Sequence, residues 1–343
     1  MTTEIASDIK KLLRKQEFPT VAIEAIGQLQ KILANFVGMS VPQQVVQVCN
    51  EVLEEFVFFE KKRKKLSAIR EIQILDLICA SFQTCAQESC RNLFFVMFPP
   101  TDKRLLDQRM PILTRLISLA VTLKVDTILD CAAFWFHVVG IKTTVSLQLV
   151  EYLLRDLFES GTSPCLSHEP ALLVNTSPAF CATFVTATTF IYSMRLPPKA
   201  LLELLATWLE ENLYLSYVPL ETVMPTAQTF VPGLIRWIVL TDPNSETDAS
   251  VTNRLHLALL KIILKAPQGI IQVDNFVALF EALEKPSELQ IERFVQILQA
   301  ALTAQCVQGK PEELRRVIEG FPPTKLRDLV LEYNVKDPLQ KLS

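Results

Sequence analysis

The chain has 343 residues, half of them apolar and 21% charged, with 34 Lys and Arg against 37 Asp and Glu for a net charge of −3. A chain of this composition builds a sizeable core and is not disordered as a whole. Its balanced charge supplies no stripe of cations for phosphates, and 8 glycines, about 2.3% against roughly 7% in average proteins, weigh against phosphate-cradling loops.

Apolar residues recur at steps of three and four: Ile26, Leu29, Leu33 and Phe36, then Ile72, Leu75, Cys79 and Phe82, then Ile112, Leu116, Leu119 and Leu123. Each set is one face of a helix. The spacing and the cap signals predict helices over 3–16, 20–37, 42–60, 68–97 (a break near 84–88 left open), 104–123, 126–138 and 143–159. The second half continues with 178–194, 198–215, 232–240, 250–265, 273–284, 287–307, 311–319 and 323–333. Ser177-Pro178 reads as a cap followed by proline at the first helical position. Ser287 to Gln290 reads as a capping box.

Alternation of period two between Asn-Gly or Asp-Gly turns is absent, which leaves a sheet little support. The expected fold class is all-α, an irregular α-solenoid of about fifteen helices resembling HEAT or armadillo repeats. Trp135, Trp208 and Trp237 are 73 and 29 residues apart, which fits no tetratricopeptide or ankyrin period. The joints are placed at Ser160 to Asn175 and at Thr241 to Ala249. They suggest subdomains 1–160 and 161–343, with one continuous solenoid as the other arrangement. The uncharged stretch between Glu169 and Arg195 has the length of a membrane span. Asn175, Thr176, Ser177 and Pro178 interrupt it and four threonines follow, so a buried central helix is expected instead.

Catalytic and ligand motifs fail on spacing. Dinucleotide and P-loop fingerprints need glycines two to five apart, whereas the nearest pairs here are eleven apart. The same scarcity removes a nucleophile elbow. His137, His168 and His256 stand alone, without the one-turn spacing of a zinc helix. On one continuous helix Cys79 and Cys85 diverge by about 120°, and Cys79 and Cys90 lie about 16 Å apart. Only a break near Thr84 to Glu88 would bring Cys85 and Cys90 together. Asp126 and Asp130 are four apart, the spacing at which two acids share a proton or cation, but Asp126 reads better as an N-cap. No cofactor or metal is expected. The eight cysteines sit mostly in apolar patterns and read as reduced thiols, and the N-terminus lacks a signal-peptide layout.

Two features suggest interaction. Lys61, Lys62, Arg63, Lys64 and Lys65 form the one dense charge block, which has the look of a nuclear-import signal and equally of a solvated loop. Arg236 and Trp237, after Pro232-Gly233, are residue types that dominate interfaces, and also types that pack within a helical core.

Several blocks together carry a resemblance: Leu53 to Phe58, Gln73 to Cys79, Arg109 to Leu113 with Ile117 to Val121, Ile128 to Trp135, Ser177 to Cys181, Gly233 to Trp237, and Leu255 to Leu257. In order and spacing across about residues 50–260 they resemble the Integrator complex subunit 15 family. This sequence stops at Ser343 without the Pro- and His-rich tail of some members. The resemblance implies a nuclear, non-catalytic helical scaffold partnered with Integrator subunits 10, 13 and 14. That complex cleaves nascent RNA of RNA polymerase II, including at small nuclear RNA 3′ ends, and attenuates transcription through catalytic activities in other subunits. No small-molecule substrate, direct nucleic-acid contact or membrane is expected. The alternatives are an adaptor of another nuclear assembly and a helical-repeat RNA binder.

Overall fold

Helices dominate because apolar side chains recur every third or fourth residue and the breaks carry proline or caps. The computed structural model describes residues 2–60, 67–84, 87–159, 170–193, 196–211, 230–240, 246–265, 271–283 and 286–320. The chain divides into two compact units, Met1–His168 and Glu169–Ser343.

The first unit holds α1 (Thr2–Leu13), α2 (Thr20–Leu33), α3 (Gln43–Val52), α4 (Ala68–Thr84), α5 (Gln87–Met97), α6 (Lys103–Leu123), α7 (Asp126–Val139) and α8 (Thr144–Leu154). A 3₁₀ turn, Ala34–Phe36, follows α2, and π-helical turns, Leu53–Val57 and Arg155–Glu159, extend α3 and α8. Alternate helices pack on one another: α1 on α3, α3 on α5 and α5 on α7 make one row, while α2 on α4, α4 on α6 and α6 on α8 make a second. Contacts of α2 with α1 and α5, and of α6 with α7, join the rows.

The second unit holds α9 (Pro170–Thr176), α10 (Pro178–Ile191), α11 (Lys199–Glu211), α12 (Val231–Leu240), α13 (Glu246–Lys265), α14 (Val273–Glu281), α15 (Glu288–Thr303) and α16 (Pro311–Glu319). Here α9, α11, α13 and α15 pack in succession, α10 packs on α12, and α14 on α16. The predicted central helix is α10, buried all round from Ala179 to Thr189. Its threonines bond their own backbone: Thr183 donates to the Ala179 carbonyl at 2.9 Å, Thr186 to Ala182 at 2.7 Å and Thr188 to Phe184 at 2.7 Å. No helix of the described residues is long and apolar enough to cross a membrane.

Caps set several boundaries. The Asp102 carboxylate accepts from Leu105 N at 3.1 Å to open α6. The capping box of α15 is complete, Ser287 Oγ accepting from Gln290 N at 3.3 Å and Gln290 Oε1 from Ser287 N at 2.9 Å. Ser177 differs from expectation. It occupies the cap position before Pro178, yet its buried hydroxyl makes no cap bond. Asp126 lies one position inside α7, with Val125 at the cap, and its carboxylate accepts from Thr127 N at 2.8 Å.

Part of each expected joint is helical: Pro170–Thr176 forms α9, and α13 starts at Glu246. A two-residue parallel pair, β1 (Ile271–Gln272) with β2 (Val307–Gln308), ties the entry of α14 to the exit of α15. Two residues per strand are too few for any alternation to register in the sequence. The predicted helix over 68–97 is two elements, α4 ending at Thr84 and α5 opening at Gln87, with residues 85–86 outside the described ones. The predicted helix over 323–333 lies outside the described residues.

At Gly233 α12 meets α10. A Cβ built there would stand 2.4 Å from Thr189 Cβ, so any side chain must push two packed helices apart. Gly233→Ala is expected to destabilise the second unit by about 1–3 kcal/mol, read as a lowered urea midpoint. An unchanged midpoint would refute the close approach.

Candidate functional site

Among the described residues, those singled out in the sequence do not gather into one site. Lys61, Lys62, Arg63, Lys64 and Lys65 lie outside the described residues, as do Cys85, Cys165 and His168. Trp237 is 3% exposed, and its indole N–H donates to the Tyr192 carbonyl at 3.0 Å. The ring therefore belongs to the core of its unit. Arg236, beside it on α12, is half-buried.

His137 is exposed. Among the described residues no three His, Cys, Asp or Glu side chains gather closely enough to hold a metal. Cys49, Cys79, Cys90, Cys131, Cys181 and Cys306 are buried. Burial pushes the Cys49 thiol up to about 12, and burial with the nearby Asp76 charge pushes Cys79 up to about 11. Both remain protonated and poorly nucleophilic at neutral pH.

Two buried arginines went unread as special because each sits on an otherwise apolar helix face. Arg109 on α6 is fully buried. Its fork donates to Glu60 at 2.9 and 3.2 Å, and its remaining terminal nitrogen donates to Asn50 Oδ1 at 3.3 Å and to the Met97 carbonyl at 2.8 Å. The guanidinium also lies 4.8 Å from the Phe58 ring centre. Met97 is the last residue of α5, so Arg109 satisfies a carbonyl that the helix leaves open and places a cation at its negative end.

Arg293 on α15 is 2% exposed and holds neutral acceptors: the Ile238 carbonyl in the last turn of α12 at 3.2 Å and Asn253 Oδ1 of α13 at 2.9 Å. Its Nε has no bonding partner. The role at a helix end matches that of Arg109, without the carboxylate.

Burial, followed by the Arg293 charge, holds His256 down from 6.5 to about 4. Between those values the unfolded chain takes up a proton that the folded chain refuses. The stability conferred by the neutral ring is thus complete above pH 6.5 and falls as pH drops towards 4. This residue is expected to cost about 1–3 kcal/mol over that window. Urea melts of wild type and His256→Leu at pH 7 and pH 4.5 isolate it, because the variant should lose less stability on acidification. Equal losses would refute the assignment.

The first unit has a cleft of about 430 Å³ between the end of α1, the turn into α2, the π turn after α3 and the start of α4. Its walls include Arg14, Glu17, Phe18, Glu55, Phe59 and Arg70. Phe18 and Phe59 meet edge to face with centres 5.8 Å apart, and the Arg70 guanidinium lies 5.6 and 5.9 Å from the two rings. Arg14 Nε donates to Glu55 at 3.0 Å. Phe59 has a φ of 54°, a left-handed conformation uncommon for an aromatic residue. Such a site escapes sequence reading because its residues come from four segments and fit no motif.

Comparison with known proteins accounts for the block order. The family model described as Integrator complex subunit 15 matches residues 7–323, thus reaching into both units. Integrator complex subunit 15 of Drosophila melanogaster is 27% identical over 383 residues, covering 95% of this chain and 98% of its own length. The Mus musculus and Homo sapiens proteins of that name are each 26% identical, covering 95% of this chain and 86% of theirs. With a match running from α1 past α16 and relatives aligned along nearly the whole chain, this protein belongs to the Integrator complex subunit 15 family.

Proposed function

We propose that the chain is a non-catalytic scaffold subunit of the nuclear Integrator complex. It docks with the module of subunits 10, 13 and 14 and supports cleavage of nascent RNA polymerase II transcripts, small nuclear RNA 3′-end processing and transcription attenuation. The observation that carries this reading is the family match over residues 7–323.

Chemistry and packing support it. Among the described residues, the buried protonated thiols and the exposed His137 form no acid–base or nucleophilic pair. The two rows of alternately packed helices in the first unit favour an irregular helical-repeat scaffold, whose flanks present long surfaces to partners. We read residues 1–160 and 161–343 as its two subdomains. With Trp237 in the core, Arg236 is the member of that pair left to meet a partner at a polar rim. The run Lys61 to Lys65 serves nuclear import in this reading; replacing all five with alanine should abolish nuclear accumulation, and unchanged accumulation would remove that role.

The test is a pull-down of the tagged full chain from nuclear extract at moderate salt, scored for Integrator subunits 10, 13 and 14. Recovery of the module is expected. Its absence with folded protein would overturn the assignment, and recovery of a different nuclear assembly would favour the adaptor alternative. Salt-sensitive retention of RNA would favour the RNA-binding alternative.

A further inference from the structure

Ser67 stands at the cap position of α4. Its carbonyl accepts from Glu71 N at 3.0 Å, and its hydroxyl accepts from Arg70 N at 3.4 Å, a long bond that holds the oxygen lightly. Ser67 and the three residues after it are all exposed. A reagent that reaches this hydroxyl therefore has to open one surface turn and none of the core.

The order of residues gives the class of reagent. Lys64 and Lys65 lie three and two residues before Ser67, and no other serine or threonine among the 343 residues has Lys or Arg at both of those positions. Protein kinases choose substrates by such charge patterns, cations near the acceptor meeting acids of the kinase. A linear pattern of this kind is read from the chain's order and requires no fixed placement of the two lysines. The exposed hydroxyl and the cation pair are independent features that meet at one residue.

The structure also supplies a receiver for the product. Arg70 is exposed, its guanidinium lies 5.6 and 5.9 Å from the ring centres of Phe18 and Phe59, and it makes no ion pair among the described residues. Long side chains on a helix lean back towards its N-terminus, which carries the guanidinium of this third helical residue towards the cap. The rings it rests on limit its freedom, and its planar fork suits phosphate oxygens. The first-turn amides of a helix have no acceptor within it and favour negative charge. The acids around this point are Glu17, Glu55 and Glu71, of which Glu55 is held by Arg14 and Glu71 by Arg115.

We propose that Ser67 is a phosphorylation site for a serine/threonine kinase that selects upstream cations, and that Arg70 with the first turn of α4 holds the phosphate. In the transfer, Ser67 Oγ bonds to the γ-phosphorus of magnesium-bound ATP while the bond from that phosphorus to the β,γ-bridging oxygen breaks. ADP leaves, and the hydroxyl proton passes to a carboxylate of the kinase. The product sets a charge of about −1.5 to −2 beside the run Lys61 to Lys65. The one dense charge block of the chain thus changes without any change to the core.

The purified full chain is incubated with magnesium-bound ATP and the catalytic subunit of cAMP-dependent protein kinase, and the product is mapped by tandem mass spectrometry. One phosphoryl group on Ser67 is expected, at an initial rate lowered about tenfold or more by Lys64→Ala with Lys65→Ala. Phosphorus-31 NMR of the product then reads the receiver. The second ionisation of the phosphate should lie about half a unit lower in the wild type than in Arg70→Gln, whose exposed position disturbs neither the fold nor the upstream pattern. The chain isolated from cells with phosphatase inhibitors should also carry phosphoserine at 67. Transfer to another residue in place of Ser67, no transfer while a peptide of residues 61–68 is modified, or a rate indifferent to the two lysines overturns the site, as does the absence of phosphoserine 67 from cells. Identical phosphate titrations in the wild type and Arg70→Gln overturn the receiver. Each of these results leaves the scaffold reading where it stands.

Discussion

Arg109→Ala is expected to destabilise the first unit by about 3–5 kcal/mol, the usual cost of removing one member of a buried ion pair. Glu60, with its side chain 11% exposed, would keep its charge without its fork, and the Met97 carbonyl and Asn50 would lose their donor. Lysine cannot substitute, because a single ammonium does not span Glu60, Asn50 and the α5 carbonyl together. The control is Arg109→Met with Glu60→Gln, which removes both charges and should restore part of the loss. Urea unfolding followed through Trp135 reports on this unit, since Trp208 and Trp237 lie in the other and can be changed to phenylalanine. A loss below about 1 kcal/mol would mean that water reaches Glu60 and the pair is not truly buried.

Trp135→Ala ranks beside it, at about 3–5 kcal/mol for a fully buried tryptophan. The ring packs edge-on against Phe136, with centres 5.6 Å apart, and its N–H donates to the Phe98 carbonyl at 2.8 Å. Arg109 and Trp135 thus hold successive carbonyls, Met97 and Phe98, where the chain leaves α5. Their effects should not add, and a double-mutant cycle should give a coupling of about 0.5–3 kcal/mol. Trp135→Phe separates the contributions, keeping most of the packing while leaving the Phe98 carbonyl without its donor. Circular dichroism in urea reads every variant of the cycle, and additivity within about 0.3 kcal/mol would refute the shared corner.

The helices were legible because their apolar periods are strong, and the α15 box because Ser287 and Gln290 hold the required spacing. What escaped has local physical causes. The first turn of α13, Glu246-Thr247-Asp248, is polar throughout and reads as loop; α9 is seven residues long, too short for a period to show. The π turns after α3 and α8 have the composition of ordinary helix. At the site level, Trp237 carries the same residue type whether it faces a partner or the core, and only burial decides between them. Arg109 and Arg293 each sit on an otherwise apolar helix face, where the sequence does not say which carbonyl the guanidinium reaches; tertiary packing decides it. The cleft depends on where α1, α2, the π turn and α4 meet.

The buried threonines of α10 have a kinetic consequence. Because Thr183, Thr186 and Thr188 spend their hydroxyls on their own helix, neighbouring helices can move aside without orphaning a polar group there. The backbone amides of α10 nevertheless meet water only when those neighbours do move. Deuterium uptake along Ala182 to Thr189 should therefore be among the slowest of the second unit and should follow opening of that unit as a whole, making this helix an internal clock for its cooperative unfolding.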